Sequence, residues 1–402
     1  MKRSLFFTMV FLLVAAISFG QDKRSDRILQ TDHFGFTTMA FYNYANWTSG
    51  KSKASLKFDS FRIWAQTDLN STIFAGVQYR FYESWRTPTY MYLGWHVNKK
   101  NTLKLGQIWA PFGFAYQPYD DWGNLTFYVG LQDDYDMGLT WQGNFGLFTF
   151  YAGFFKNQQL SATNVQRYDA DVFPGDATQY NLINKRNREV NQFNLMGEFN
   201  PKGKNWDILV GGGVMFGQLY NEDTDKYGTR FATEGHLGFN LGNYHLRLQD
   251  TWYNYTQKLP DNATQDMKDF LNVSSWNFAY EIPASANVFT ASTKYDFIGE
   301  KLSAYANYSY LSGGTTETAS QLLTGGVSTV WRLIQVYGEV HYGVNDPQMS
   351  GNASGYGRDA GSYDVGFQVR VYYTMSILNE KTINYIKKKL SKDSEDKASD
   401  DE

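Results

Sequence analysis

The chain has no cysteine in 402 residues, which excludes both a disulfide-stapled secreted scaffold and a lipoprotein anchored through a cysteine after its signal. Beyond residue 20 it also lacks any run approaching the about 18 apolar residues of a membrane-crossing helix. Prolines number only 8 and histidines five, and the formal net charge of -3 gives nucleic acid no basic surface to bind.

What is plentiful is aromatic: 30 Phe, 30 Tyr and 11 Trp, beside 36 Gly. The first twenty residues, MKRSLFFTMVFLLVAAISFG, place Lys2 and Arg3 before an apolar run from Leu5 to Ile17 and small residues at Ser18 and Gly20. This is the pattern of a secretory signal peptide cut near Gly20, and its removal moves the net charge to -5. The remaining roughly 380 residues suffice for two or three soluble β domains. They also suffice for one outer-membrane barrel, whose strands alternate lipid-facing apolar with lumen-facing polar residues and so never look hydrophobic on average.

Period-two alternation dominates. In IFAGVQYRFY one face is Ile73, Ala75, Val77, Tyr79 and Phe81, and the other includes Gly76, Gln78 and Arg80. In VGFQVRVYY, Val365, Phe367, Val369, Val371 and Tyr373 oppose Gly366, Gln368, Arg370 and Tyr372. In RLIQVYGEVHY, Ile334, Val336, Val340 and Tyr342 oppose Gln335, Tyr337, Glu339 and His341. Alternation alone fits a soluble sandwich as well as a barrel.

Loop rhythm separates the two. Short polar turns are expected near residues 68–71, 98–101, 143–144, 200–205, 241–242, 299–301 and 331–332. Longer breaks are expected at 46–54, 83–88, 110–135, 156–189, 219–228, 257–287, 312–320 and 345–361. Long and short breaks alternate, and they separate about sixteen strands (14 to 18) of roughly ten residues, the span of a tilted transmembrane strand. The fold class is therefore all-β: a transmembrane antiparallel β-barrel with short periplasmic turns and long external loops, in the outer membrane of a Gram-negative cell.

The chain divides into a signal peptide (1–20), a periplasmic N-terminal segment (21–32), the barrel (33–377) and a charged periplasmic tail (378–402). SSWNFAYEI, residues 274–282, would make a seventeenth strand and break the even count, so it is placed in a long loop as a hairpin arm or packed segment. The tail means that a last-strand signal for the barrel assembly machinery would have to be read internally.

Chemical constellations are few. A two-residue turn at Leu241-Gly242 would pair Asn240 with Asn243 and set His236 opposite Arg247 and Glu234 opposite Gln249, a mixed-charge wall with too few converging ligands for a metal. DTDKYGTRFATE, residues 223–234, places Asp223, Asp225, Gly228 and Glu234 at calcium-loop positions, but Tyr227 stands where a polar ligand belongs and strands flank it. It is read as coincidence. GGGVMFG, residues 211–217, lacks a phosphate loop's Lys-Ser/Thr and is read as small residues allowing close packing. Serines are common, but sequence spacing brings none of them to a histidine, so an enzyme reading has no positive support. No catalytic residue, metal or cofactor is expected.

The run of features from 58 to 143, with FDSFRIWAQTDL, AGVQYRFYESW, YMYLGWHV, LKLGQIWAPFG and DMGLTWQG, resembles the N-terminal half of the Gram-negative phosphate-selective porin O/P family and related general porins. Gly106, Gln107, Pro111, Phe112 and Gly113 match the family's Gly-Gln-x-x-x-Pro-Phe-Gly element. The second strand departs from the family in keeping only Arg62 of its arginines.

The resemblance implies passive diffusion of small hydrophilic solutes or ions, possible selectivity for anions such as phosphate, and leaves a homotrimer open. It also implies that loop 110–135 folds into the barrel and narrows it; a rim loop that touches no solute is the competing reading. Constriction candidates are Pro111, Phe112, Tyr116, Tyr119, Asp120, Asp121, Trp122, Asp133 and Asp134, with Asp136 beside them. Lumen-wall candidates are Arg62, Arg80, Lys104, Arg230, Glu234, His236, Arg247 and Arg370. Two rival expectations are a barrel that binds or transports a specific solute on its aromatic loop, and a non-conducting structural or adhesive barrel.

Overall fold

The computed structural model describes residues 33–47, 52–115, 124–159, 165–298, 301–350, 354–359, 361 and 363–376. The expected signal peptide, N-terminal segment and tail lie outside them. In chain order the described strands are β1 (His33–Trp47), β2 (Ser52–Asp68), β3 (Ile73–Tyr82), β4 (Arg86–His96), β5 (Asn101–Trp109), β6 (Tyr135–Phe145), β7 (Phe148–Asn157), β8 (Asp171–Val172), β9 (Asn187–Phe199) and β10 (Trp206–Asn221). There follow β11 (Lys226–Leu241), β12 (Tyr244–Thr256), β13 (Phe270–Ser275), β14 (Phe278–Pro283), β15 (Ser285–Asp296), β16 (Leu302–Ser312), β17 (Ser320–Trp331), β18 (Ile334–Val344) and β19 (Tyr363–Ser376).

Sixteen of these strands close into one antiparallel barrel, with β1 paired to β2 on one side and to β19 on the other. Closure leaves no free sheet edge, which is what a sheet needs in hydrocarbon, where no water can satisfy an unpaired N–H or C=O. The side chains sort as alternation requires. Leu105, Leu195 and Val327 are 61%, 60% and 55% exposed on the outside, whereas Glu339, Arg230 and Arg370 are 0%, 1% and 1% exposed within. Apolar outside and charged inside is the reverse of a soluble protein and marks a transmembrane barrel of the outer-membrane type. Outward Trp95, Phe148, Trp206, Tyr244, Phe297 and Trp331 crowd the short-turn end as an aromatic girdle.

Several connections differ from their expected positions. The β6–β7 turn is Gly146-Leu147, with Gly146 at φ 72, not Gly143-Asn144. The β11–β12 turn is Gly242-Asn243, with Gly242 at φ 54, so Asn240 pairs with His245, His236 with Gln249 and Glu234 with Thr251. That shift is by two residues, so it preserves the faces. The breaks at 83–88 and 219–228 shrink to 83–85 and 222–225 because the strands run on. Pro88 is accommodated within β4 because it adjoins a bulge, where Gln78 pairs with Tyr90 and Tyr79 with Pro88, skipping Thr89.

Residues 274–282 belong to a separate three-stranded sheet, β14-β13-β8, and not to the barrel ring. This sheet joins Phe112, the 125–131 stretch, residues of 170–172 and 271–282, and Tyr356 in one apolar cluster that also takes in inward wall residues such as Met215, Leu219, Tyr253, Val288 and Leu311. The expectation of a polar lumen is therefore corrected for the β10–β17 side. Parts of its inner wall are apolar and covered by loops that share a core.

Candidate functional site

The interior is organised by the segment between β5 and β6. Gly106 has φ 139, and a Cβ there would overlap the Met91 carbonyl. Gln107 donates through Nε2 to Pro88 O at 3.1 Å and Thr89 O at 2.9 Å, pinning the bulge. The Ala110 N–H still reaches Asp134 O at 2.8 Å, but Pro111 has no N–H to continue the ladder and the chain leaves the sheet.

It then crosses the barrel. Asn194 of β9 donates to Pro111 O at 3.2 Å, and the Phe114 N–H donates to Gln249 Oε1 of β12 at 3.2 Å. A one-turn helix, α1 (Leu125–Tyr128), follows, capped by Asn124 Oδ1 on the Thr126 N–H at 2.9 Å. The Leu125 N–H donates to Ser309 Oγ of β16 at 3.0 Å, and Thr126 Oγ1 lies 3.3 Å from Thr290 Oγ1 of β15. In the ring order β16 stands diametrically opposite β5.

Of the constriction candidates, Pro111, Phe112, Asp133 and Asp134 are buried inside. Tyr116, Tyr119, Asp120, Asp121 and Trp122 lie outside the described residues. The wall candidates all stand on the inner face but in different company. Arg230 pairs with Glu189 and donates to Gln192 Oε1 at 2.7 Å. Arg370 grips Glu339, which also accepts from the Tyr305 hydroxyl. His236 Nδ1 lies 2.8 Å from Glu234 Oε2, its Nε2 3.5 Å from Glu198, and its ring 4.9 Å from Phe114. A Cβ at Gly211 would overlap that ring, so the glycine run makes room for a neighbour's side chain.

Arg80 lies 3.8 Å over the Tyr168 ring and Arg247 5.1 Å over Phe114. Arg62 and Lys104 are half-buried against Tyr372 and Tyr92, and among the described residues neither has a carboxylate within ion-pair distance. Lys104 lines a cavity of about 430 Å³ between the β2–β7 wall and Pro111, together with Tyr90, Tyr92, Trp109, Trp141 and Tyr151.

The residues 223–234 do not form a cation loop. Asp225 sits in the β10–β11 turn and accepts from the Tyr220 hydroxyl at 2.9 Å, while Glu234 lies on the wall beside His236. A different acidic group is present that the sequence reading missed: Asp134, Asp136 and Asp171, all buried. Asp169, Glu189 and Arg167 surround it. Its signal in the sequence is an Asp-x-Asp pair at 134–136 repeated at 169–171, but only the folded chain brings the two together.

No protein-family model matches the chain, and no curated protein does. Its fold is similar to that of the anion-selective porin from Comamonas acidovorans, at 11% identity over 86% of this chain and 100% of that one, TM-score 0.58. Salmonella typhi OmpF, solved in complex with daunomycin, gives 13% identity over 86% of this chain and 97% of its own, TM-score 0.56. The trimer form of OmpT, an outer membrane protein of Vibrio cholerae, gives 14% over 86% and 99%, TM-score 0.51. The chain thus has a porin fold, while the narrower likeness to the phosphate-selective O/P family is not matched.

Proposed function

We propose that this protein is an outer-membrane porin through which small hydrophilic solutes diffuse, with anions, phosphate among them, preferred. The observation that carries the reading is a closed barrel, apolar outside, with one internal segment crossing to the opposite wall beside a solvent-sized chamber. Segment 110–134 acts as the constriction, and residues 33–377 form the channel body. The signal at 1–20 directs export, and the last strand is read by the barrel assembly machinery.

The anion preference rests on which charges are already neutralised. Arg230, Arg370 and His236 each have a carboxylate partner, so they contribute little net field. Arg62 and Lys104 keep theirs, and a wall of one sign favours the opposite ion. Single-channel current of the refolded mature protein in a planar bilayer, with reversal potential in a salt gradient, tests this. Steady conductance with anion preference that weakens in Lys104→Ala is the expected result. A sealed bilayer despite verified folding would overturn it in favour of a binding or adhesive barrel.

A second reading, a solute-selective channel, is favoured by the aromatic lining of the chamber, since ring faces stack on sugar or heterocycle faces. Sugar-dependent current block abolished by Tyr92→Ala would support it. A homotrimer is also proposed for this chain, to be read from its mass in detergent.

A further inference from the structure

The acidic group beside the constriction is built differently from the ion pairs elsewhere on the wall. Asp134, Asp136 and Asp171 each offer a carboxylate oxygen, and these oxygens lie within 4.8 Å of one another. The three come from two segments far apart in sequence: the end of the crossing segment with the start of β6, and the inner strand β8. Each is almost wholly buried, and among the described residues Asp134 Oδ1, Asp136 Oδ1 and Asp171 Oδ1 have no hydrogen-bond partner.

A fourth carboxylate stands beside the trio without belonging to it. Asp169 Oδ2 accepts from the Tyr135 N–H at 2.7 Å, which seats Asp169 against the residue between Asp134 and Asp136. Its Oδ1 is also buried and has no partner among the described residues.

The neighbouring cations are already engaged. Arg167 donates to Asp171 Oδ2 at 2.9 Å, Arg230 is held by Glu189 and Gln192, and Arg80 stacks on Tyr168, whose hydroxyl donates to Asp133 at 2.5 Å. Asp133, Asp134, Asp136, Asp169, Asp171 and Glu189 thus outnumber their guanidinium partners by three in a space closed to water.

We propose that Asp134, Asp136 and Asp171 hold a divalent cation of the calcium type. All the donors are hard oxygens, and two oxygens bound to one calcium at about 2.3–2.6 Å each can stand at most about 5 Å apart, which the trio satisfies. Such an ion offsets two of the three excess charges and fastens the crossing segment to the β8 segment, so it ties the constriction to the loops packed with it. The site requires only that the barrel be folded, and does not depend on whether it conducts.

The test uses the refolded mature protein, stripped with chelator and titrated with calcium by calorimetry, with terbium luminescence sensitised by Tyr135 and Tyr168 as a second readout. One ion per chain is expected, with affinity at least tenfold weaker in Asp171→Asn and in Asp134→Asn and unchanged in Asp261→Asn. If Asp171→Asn does not fold, Asp134→Asn alone decides. Absence of stoichiometric calcium and terbium binding to folded wild type overturns the proposal, as does full binding retained in either aspartate variant.

Discussion

Arg370 and Glu339 meet in a two-pronged ion pair inside the barrel, Nη2 to Oε1 at 2.5 Å and Nε to Oε2 at 2.9 Å, with neither side chain reaching water. Removing one partner leaves the other charge buried and uncompensated, at a cost of about 3–5 kcal/mol. Arg370→Met is therefore expected to lower the urea midpoint of the detergent-folded barrel, and to shift the current toward cations by exposing Glu339. Adding Glu339→Gln should recover most of the lost stability. Equal midpoints for single and double variants would show that the pair is not coupled.

Val369 and Arg370 are neighbours on opposite faces of β19. Arginine at 369 would meet lipid and cost about 2–4 kcal/mol at mid-membrane. Val369→Arg should give a lower yield of heat-modifiable, folded protein than Val369→Leu. Equal yields would reverse the face assignment for this strand.

Gly113 has φ 60, and a Cβ there would overlap the Gln249 side-chain amide that receives the Phe114 N–H. Gly113→Ala should cost about 1–2 kcal/mol for the left-handed backbone and unseat the crossing segment. Larger, noisier single-channel currents are expected. Gly146→Ala carries a similar φ, 72, with open space around it, so it should pay the backbone cost without altering the current.

The pH response of the chelated protein follows from the acidic group. Burial pushes the Asp134, Asp169 and Asp171 carboxyls up in the fold, so between the unfolded value, near about pH 4, and the raised folded values the native state holds more protons than the unfolded one. Their contribution is complete below the unfolded value and is lost as pH rises through the folded ones. Arg167 and Arg230 face the group and draw these carboxyls back down, which moderates the slope, whereas Asp133 and Glu189 push Asp134 further up. The urea midpoint in chelator should fall with rising pH over this window, and excess calcium should flatten the fall. A chelated midpoint that rises with pH there would contradict this.

The strands were legible in the sequence because lipid and lumen impose opposite chemistry on alternate residues, as in Val365 to Val371 against Gln368 and Arg370. Turns were less so. Gly143-Asn144 has the composition of a turn, yet Gly143 lies mid-strand because its missing Cβ leaves room for the Trp141 and Phe145 rings. The interior was the least legible. Asp134 and Asp171 carry no local sign of each other, and Tyr280 donates to Tyr128 O at 2.8 Å across 152 residues of chain. Alternation describes what a strand faces, not which loop fills the space.

The apolar cluster that joins Phe112, Val172, Tyr280 and Tyr356 has a consequence for the order of assembly. Its members come from four connections spread along the chain, and it is enclosed by a wall complete only once β1 meets β19. The connections can bury these side chains only against wall residues such as Met215, Tyr253 and Leu311, whose strands must already stand in the wall. The wall must therefore insert first and its filling consolidate afterwards, so that a newborn barrel passes through a leakier stage than the mature one. Pore current recorded during refolding into a bilayer should rise and then decline to its final level; a monotonic rise would place the filling before closure.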